Sequence, residues 1–398
     1  MKDYLKEQFL KTFQAEPDKI LSCGGRFEIL GNHTDHNHGL CIAATCSLSI
    51  YGAFKKRDDL LVHLYSEGFG ASTIDLSILD KRLSETGKPA SLIRGIASYL
   101  SKDHKYGGLD IYINSQIPPG AGVSSSAAFE LLIAQAINKL FNNEEIPLLT
   151  LCKASQYAES EYYGKSCGLL DQIGVAYGGI VYIDFKDVNN PIVERLKIQR
   201  KIYEGDFSNL YFDDFTFVIV NTGGSHAGLD AKYGSINKGM KLIANHYGKD
   251  YLRDVDEETF FKDKQFLYDN IDECSTDAAE HFFKENQRVK TAYRVIKNDD
   301  FESLISLMNK SRQSSADLLH NMTINHYEGS PLEACDLIDQ VSCHRAGVKI
   351  NGGGFAGSVI ALIPNEILER VLTAVKDKYG SENVHIVSIR DEMPCEVK

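Results

Sequence analysis

The fold of this chain is most restricted by a polar turn near its N-terminus, in residues 24–39. Two glycines and Arg26 precede the short apolar run Phe27–Leu30, and the glycine-bounded turn that follows contains Asp35 and three histidines. A turn with only a structural role does not need this much charge and imidazole. The segment therefore indicates a binding site for a small polyhydroxylated ligand.

The composition excludes several classes of function. The formal net charge of −12 over 398 residues argues against broad nucleic-acid binding, which needs a basic face. The nine cysteines form no Cys-x-x-Cys pair, which favours reduced thiols in the cytoplasm over a zinc site or a disulfide framework. The N-terminal residues are too charged for a signal peptide, and no apolar run reaches membrane-spanning length. We therefore expect a cytoplasmic protein that binds neither nucleic acid nor a membrane.

The order of helix-like and strand-like patterns predicts an α+β protein with two domains. A mixed, charged stretch over 186–214 places the boundary near residue 200, which gives domains of residues 1–200 and 201–398. Helical periodicity predicts helices at 3–16, 92–100, 124–141, 148–163, 229–247, 257–312, 331–342 and 367–379. Alternating or continuous apolar runs predict strands at 27–30, 45–54, 60–65, 109–114, 179–185, 215–220, 359–363 and 384–389.

A second motif lies between a predicted strand and a predicted helix. It begins with a Pro-Pro-Gly break and continues through Gly120, Gly122, Ser124, Ser125 and Ser126. Glycines let a backbone approach a ligand closely, and a helix N-terminus offers free N–H groups at the positive end of its dipole. The motif lacks the Gly-Lys-Ser/Thr of a Walker A loop. It indicates either a different kind of phosphate loop or a serine-capped helix after a turn.

Two further segments carry weaker signals. Residues 351–357 contain four glycines between strand-like runs, which indicates a backbone close to another group or a flexible hairpin. Asp171 lies among apolar and small residues and is a candidate buried carboxylate, a cap or a surface acid, and Glu159 lies on the preceding predicted helix. Each signal is weak alone, and the order of all the motifs along the chain is what makes them specific.

In this order and spacing, the motifs resemble those of the GHMP kinases, and within that superfamily those of the galactokinases. Residues 25–37 follow without a gap the galactokinase signature Gly-Arg-Val-Asn-Leu-Ile-Gly-Glu-His-Thr-Asp-Tyr-Asn. Residues 156–172 resemble the family segment that ends in Cys-Gly-Ile-Met-Asp-Gln, and residues 326–336 and 352–357 match its C-terminal landmarks. The resemblance implies a two-domain GHMP kinase fold, with a ribosomal-protein-S5-like N-terminal domain and a ferredoxin-like C-terminal domain.

The resemblance also implies a reaction, the transfer of the γ-phosphoryl group of ATP to the anomeric C1 hydroxyl of galactose. It places Arg26 and Asp171 beside that hydroxyl as the catalytic residues. An aspartate within hydrogen-bond reach can accept the hydroxyl proton, and an arginine keeps that aspartate ionised and offsets charge on the phosphoryl oxygens. Asp35 corresponds to the acid that holds the C3 and C4 hydroxyls, and Gly168 and Tyr233 correspond to further sugar contacts.

By the same resemblance, ATP is the co-substrate and Mg²⁺ the cofactor. The residues that correspond to the ATP-binding loop are Gly120, Gly122, Ser124, Ser125 and Ser126. Either of the last two serines, together with Glu159, corresponds to the magnesium ligands. Magnesium prefers few protein oxygens, with phosphate and water completing its shell, which suits so small a set. The expected partners are therefore a sugar and ATP, bound by a monomer.

Two positions depart from the galactokinase signature. Asn32 stands where the family has a glutamate that contacts the C6 hydroxyl, and His36 stands where it has a tyrosine, whereas the sugar-site residue His33 follows the pattern. Asn32 can still form a hydrogen bond but carries no charge, and His36 could assist a uronate carboxylate. Galacturonate is therefore an alternative substrate, and a sugar- and ATP-binding sensor without turnover is a further alternative. Because Arg26, Asp171 and the serine run are all present, we favour the kinase.

Overall fold

The computed structural model describes residues 1–165, 167–198, 209–210, 214–223, 230–323, 326–355 and 357–397. Its strands are β1 (Lys19–Leu30), β2 (Leu40–Lys56), β3 (Leu61–Ser66), β4 (Gly70–Asp75), β5 (Leu109–Ser115), β6 (Ile180–Asp184), β7 (Ile192–Leu196), β8 (Asn209–Leu210), β9 (Phe215–Asn221), β10 (Gly347–Asn351), β11 (Ser358–Pro364), β12 (Val384–Val387), β13 (Ile389–Arg390) and β14 (Cys395–Glu396). Its helices are α1 (Lys2–Phe13), α2 (Pro89–Leu100), α3 (Ser125–Phe141), α4 (Leu148–Tyr157), α5 (Leu170–Ala176), α6 (Asp230–His246), α7 (Glu257–Asn270), α8 (Glu273–Lys297), α9 (Phe301–Ser314), α10 (Pro331–Val341) and α11 (Leu368–Tyr379). Among these helices, none combines the length and apolar character needed to cross a membrane.

The first sheet is built around β2, a strand of 17 residues that pairs antiparallel with β1, β5 and β6. β3 pairs in parallel with β5 and antiparallel with β4, and β7 continues the sheet beyond β6. Because side chains alternate along a strand, β2 has two different faces. Helices α2 to α5 form a layer over one face of the sheet. On the other face, Leu5 and Phe9 of α1 pack on Tyr51 of β2 and Tyr112 of β5.

The second sheet has the order β10-β11-β9-β12, and all of these neighbours are antiparallel. Helices α10 and α11 cover one face with a core that includes Ile338 and Val371. Phe217 and Ile219, on the other face of β9, belong to the core of the first sheet, and the rings of Phe217 and Phe27 have centroids 4.8 Å apart. The two sheets therefore share one continuous core.

The C-terminal strands return to the first sheet. β13 pairs with β2, and β14 pairs with β1. Arg390 of β13 is buried and donates hydrogen bonds to Ser49 Oγ (2.9 Å) and Ser22 Oγ (2.8 Å). The predicted domain boundary at residue 200 lies outside the described residues and stays a prediction.

Most predicted helices and strands are present with shifted ends, but the long helical pattern predicted over 257–312 does not form one continuous helix. The segment forms three helices, because aspartates begin α8 and α9 instead of continuing the preceding helix. Asp272 accepts a hydrogen bond from the backbone N–H of Ser275 (2.7 Å), and Asp300 accepts one from that of Ser303 (3.0 Å). Such N-caps satisfy the free N–H groups of a new helix. The short strands β4, β7, β8, β10 and β14 and the helix α5 also have no counterpart among the predicted elements.

A buried ion pair joins the two sheets. Lys349 of β10 is fully buried, and its Nζ lies 2.8 Å from Oε1 of Glu28 on β1. Lys349 Nζ also donates to Ile350 O (2.7 Å), and the backbone N–H of Glu28 donates to Asn351 Oδ1 (3.0 Å). A buried ion needs such partners because its removal from water is costly. The pair therefore fixes β10 against the strand that carries Arg26.

We expect Lys349→Met to lower the free energy of unfolding by about 3–5 kcal/mol, because it leaves the Glu28 carboxylate buried without its cation. The double variant Glu28→Gln/Lys349→Met should regain much of that loss, since neither charge remains. Urea denaturation measures both values. Lys262→Met is the control, because Lys262 pairs with Glu258 in solvent and such a pair is worth at most about 1 kcal/mol. Equal losses in the single and double variants would contradict the pairing.

Candidate functional site

Arg26 lies at the centre of the site because β1 is irregular. The pairing of β1 with β2 shifts in register between Gly24 and Arg26, and a β-bulge of this kind redirects side chains. Arg26 Nε donates to Asp171 Oδ1 (2.8 Å), Nη1 donates to Gly122 O (2.9 Å), and Nη2 lies 2.7 Å from Asp171 Oδ1. One side chain therefore joins the sheet, the loop before α3 and helix α5.

Asp171 lies in the first turn of α5 and has both oxygens engaged. Besides the contacts of Oδ1 with Arg26, its Oδ2 accepts a hydrogen bond from Ser124 Oγ (2.6 Å). Burial disfavours the charged form, but the charges of Arg26 and Lys165 and the hydrogen bond from Ser124 outweigh it, so the pKa of Asp171 is lowered below its usual value. Asp171 is therefore an ionised carboxylate at neutral pH.

The predicted phosphate loop leads directly into α3. Gly120, Gly122 and Ser124 have φ values of +76°, +71° and +53°. A Cβ on Gly122 would collide with Ser358 Oγ, so a glycine is required there. Ser125 is exposed at the start of α3, a helix of 17 residues whose free N–H groups and dipole suit an anion. The loop therefore has a geometry that suits phosphate.

Ser126 and Glu159 lie in contact next to this loop. Ser126 Oγ donates to Glu159 Oε1 (2.8 Å), Lys165 Nζ lies 2.7 Å from the same oxygen, and Gln172 Nε2 donates to Oε2 (2.9 Å). A hydroxyl and a carboxylate are hard oxygen donors of the kind that Mg²⁺ binds. In the described part of the chain, no three His, Cys, Asp or Glu side chains converge as metal ligands. A cation held by Ser126 and Glu159 would therefore need phosphate and water oxygens to complete its shell.

Asp35 faces Gly168 across the site. A Cβ on Gly168 would collide with Asp35 Oδ2, so the carboxylate has its space only because position 168 is a glycine. Burial, together with the negative charges of Glu28 and Asp171, raises the pKa of Asp35 to about 7. Hydroxyl donors from a ligand would stabilise the ionised form of such a carboxylate.

Asn32 is fully buried, and its amide contacts the protein on both sides. Nδ2 donates to Gly352 O (2.6 Å), while Oδ1 accepts hydrogen bonds from Asn321 Nδ2 (3.0 Å) and Ser315 Oγ (3.3 Å). The side chain for which the sequence predicts a sugar contact is thus held among protein groups. Its nitrogen holds the backbone of residues 352–354, which we call the glycine loop.

His33 and His36 interact with each other. His33 Nε2 lies 2.7 Å from Gly353 O, and His33 Nδ1 lies 3.1 Å from His36 Nε2. Burial lowers the pKa of His33, and it lowers the pKa of His36 well below the usual histidine value. Both rings are therefore uncharged at neutral pH. An uncharged His36 could assist a uronate carboxylate only by a hydrogen bond and not by a positive charge.

Tyr233 of α6 also contacts the glycine loop. Its hydroxyl donates to Gly354 O (2.7 Å), and its ring centroid lies 5.4 Å from that of Phe355 and 6.4 Å from that of His33. Three predicted sugar-site residues, Asn32, His33 and Tyr233, therefore meet at one loop. The predicted catalytic and phosphate-loop residues form a second group around Asp171.

Three residues of the site escaped prediction. Lys165 and Gln172 contact Glu159, and Asn351 Nδ2 donates to Gly122 O (3.0 Å), the same oxygen that Arg26 contacts. Lys165 follows Glu159 by six residues, a spacing that carries a weak signal for a contact. Asn351 has no such signal, because 229 residues separate it from its partner.

The fold and two sequence segments match known families. The family model described as the GHMP kinases N terminal domain matches residues 91–179, and the galactokinase galactose-binding signature matches residues 7–56. The structure of Lactococcus lactis galactokinase complexed with galactose is similar with a TM-score of 0.82 and 22% identity, covering 99% of each chain. The Methanococcus jannaschii mevalonate kinase structure has a TM-score of 0.62 and 17% identity, covering 94% of this chain and 98% of that one. These matches confirm the predicted GHMP kinase fold.

The chain is also similar in sequence to galactokinases along its length. The Enterococcus faecalis galactokinase is 28% identical over 386 residues, which cover 95% of this chain and 94% of that protein. The Lactobacillus helveticus galactokinase is 30% identical over 375 residues, which cover 90% of each. The predicted sugar-kinase phosphotransferase activity is confirmed, and the two alternatives are not favoured. With this identity over nine-tenths of both proteins, the chain belongs to the galactokinase family of the GHMP kinases.

Proposed function

We propose that this protein transfers the γ-phosphoryl group of ATP to the anomeric hydroxyl of galactose and releases galactose 1-phosphate and ADP. The observation that carries the proposal is the position of Asp171, whose oxygens contact Arg26 and Ser124 beside the N-terminus of α3. A base, a cation and a phosphate-binding helix end are therefore adjacent. Phosphoryl transfer depends mainly on such positioning and charge neutralisation.

The residues around Asp171 divide the chemistry among them. Asp171 orients the C1 hydroxyl and accepts its proton while the new O–P bond forms and the bond between the γ-phosphorus and the leaving ADP oxygen breaks. The lowered pKa of Asp171 keeps it ionised and able to act. Arg26 holds that carboxylate and offsets the charge that develops on the phosphoryl oxygens. The N–H groups at the start of α3 bind the phosphates of ATP.

Mg²⁺ belongs to the proposal as the cofactor of ATP. Ser126 and Glu159 would hold it, and when bound it would neutralise charge on the ATP phosphates. We also propose that the protein acts as a monomer in the cytoplasm, with the two domains divided near residue 200.

The charges of the site favour galactose over galacturonate. Asp35 binds sugar hydroxyls in this proposal, and hydroxyl donors offset the cost of its burial. A uronate carboxylate would gain no cation from the uncharged His36, and the ionised form of Asp35 would repel it.

A kinase assay with galactose, galacturonate, N-acetylgalactosamine, arabinose and glucose in parallel tests this choice. Galactose should give the highest kcat/KM. A galacturonate rate far above that of galactose would overturn the substrate assignment. Binding of galactose and ATP without ADP release would instead indicate a sensor.

Asp171→Ala should abolish galactose-dependent ATP consumption, with a fall in kcat of about 10²–10⁴-fold, because the base for the C1 hydroxyl is lost. ATP should still bind, since its phosphates contact the loop before α3. A coupled ADP assay measures turnover, and calorimetry with a non-hydrolysable ATP analogue measures binding. Asp187→Asn is the control, because it removes a carboxylate at an exposed position away from the site and should leave turnover unchanged. Turnover retained in Asp171→Ala would contradict the role of Asp171.

Asp35→Asn should raise stability at pH 8 while it weakens galactose binding. The pKa of the Asp35 carboxyl is about 7 in the folded protein, against an ordinary value of 3.8. Between pH 3.8 and pH 7, Asp35 is therefore protonated in the folded protein and ionised in the unfolded chain. The ionised Asp35 carboxylate therefore lowers the free energy of unfolding by its full amount above pH 7, and this loss of stability disappears as the pH falls towards 4. The gain in Tm of Asp35→Asn should follow the same course.

Thermal denaturation at pH 8, 6 and 5 measures this gain. Asp59→Asn is the control, because the hydrogen bond from Arg57 lowers the pKa of Asp59 to about 2, so any change in Tm that it causes should be the same at pH 8, 6 and 5. A gain for Asp35→Asn that does not change with pH would contradict the raised pKa.

A further inference from the structure

The glycine loop is held by side chains that hydrogen-bond to its three successive backbone carbonyls. Asn32 Nδ2 donates to Gly352 O (2.6 Å), His33 Nε2 lies 2.7 Å from Gly353 O, and the Tyr233 hydroxyl donates to Gly354 O (2.7 Å). Gly352 and Gly354 have φ values of +85° and +87°, and a backbone without side chains has the greatest conformational freedom. Asn321 Nδ2 also donates to Gly353 O (3.1 Å). These hydrogen bonds together determine where the loop lies.

The position of this loop matters because it borders Arg26. A Cβ on Gly352 would lie 3.6 Å from Arg26 Nη2, and that nitrogen is 2.7 Å from Asp171 Oδ1. Asn351, immediately before the loop, donates to the same Gly122 carbonyl as Arg26 does. The loop therefore lies beside the guanidinium that holds Asp171, and the two share the Gly122 carbonyl through Asn351.

The Gly353 carbonyl determines which ring nitrogens of His33 and His36 donate and which accept. Gly353 O can only accept, so His33 Nε2 carries the proton, and Nδ1 of the neutral ring accepts. His36 Nε2 must then donate to His33 Nδ1, and His36 Nδ1 accepts from Asn37 Nδ2 (3.1 Å). Asn37 is buried, and its Oδ1 accepts from the backbone N–H of Leu252 (3.3 Å). A directed chain of hydrogen bonds thus runs from Asn37 to the glycine loop.

This chain requires both imidazoles to be neutral, because a second proton on either ring would point at another donor. Burial keeps both imidazoles neutral, and both positive and negative groups lie around them. Lys241 of α6 and His281 of α8 face His36, while Glu28 and Lys349 face His33. These last two are paired with each other.

We propose that His36 is a positioning residue for the kinase reaction: its Nε2–H orients His33, and through His33 it holds the glycine loop against Arg26. The proposal rests on the proposed function, because its kinetic effect is measured as turnover of galactose. It gives a role to a position at which this chain differs from the galactokinase signature. The tyrosine of that signature also ends in a group that can donate.

Two variants of similar size separate the hydrogen bond from the volume of the ring. Gln at position 36 has an amide N–H near the place of His Nε2, whereas Met has no donor. We expect kcat/KM for galactose to be about tenfold lower in His36→Met than in His36→Gln, equivalent to about 1.4 kcal/mol and to the loss of one buried hydrogen bond. The Kd of a non-hydrolysable ATP analogue should be the same in both variants.

Equal kcat/KM values in His36→Met and His36→Gln would overturn the proposal. A parallel loss of ATP-analogue affinity and of Tm in His36→Met would also overturn it, because that pattern indicates a general structural role. The comparison uses the full chain, with galactose and ATP as substrates.

Long-range ¹H–¹⁵N NMR of the histidine-labelled, unsubstituted protein tests the same chain of hydrogen bonds without turnover and without a variant that has to fold. His33 and His36 should both be Nε2–H tautomers at pH 7. A proton on Nδ1 of either ring would overturn the proposal. Because this measurement does not depend on the substrate, it also separates a failure of the hydrogen-bond chain from a failure of the galactose assignment.

Discussion

Arg26 contacts Asp171 and the Gly122 carbonyl while lying almost fully buried on β1. A buried cation is tolerated only with such partners, so the strand, the loop before α3 and helix α5 must meet around it. Two residues further along the same strand, Glu28 pairs with Lys349 and brings in the second sheet. These two ionic contacts place the candidate site at the junction of the two sheets, because the apolar core that the sheets share does not by itself fix the position of the site.

Much of this arrangement is visible in the sequence, for reasons that differ between residues. Arg26 and Asp35 are found because charge and imidazole are concentrated in one short segment. Gly120 and Gly122 are found because glycines before a serine-rich helix start suit phosphate, and their positive φ values agree with that reading. Asp171 and Glu159 have weak signals of their own, and only the resemblance to a family singles them out.

The sequence does not reveal how each side chain uses its hydrogen-bonding groups. Asn32 looks like a ligand contact, yet its amide is engaged by Gly352 and by Asn321, which is 289 residues away along the chain. His36 is predicted to be able to assist a uronate carboxylate, yet burial keeps its ring neutral. Both outcomes depend on contacts between distant segments and on local burial. Apolar periodicity fails for a similar reason at 257–312, where single aspartates start new helices.

The return of the chain to its first sheet has a consequence for biosynthesis. Residues 389–396 leave the ribosome after all the other described strands, yet β14 pairs with Leu21 and Ser22 at the edge of β1, and Arg390 fills a buried position beside Ser22 and Ser49. Until then, β1 presents unpaired N–H and C=O groups that can pair with another chain. The nascent protein therefore carries an open sheet edge through almost all of its translation. That is the period in which aggregation competes with folding.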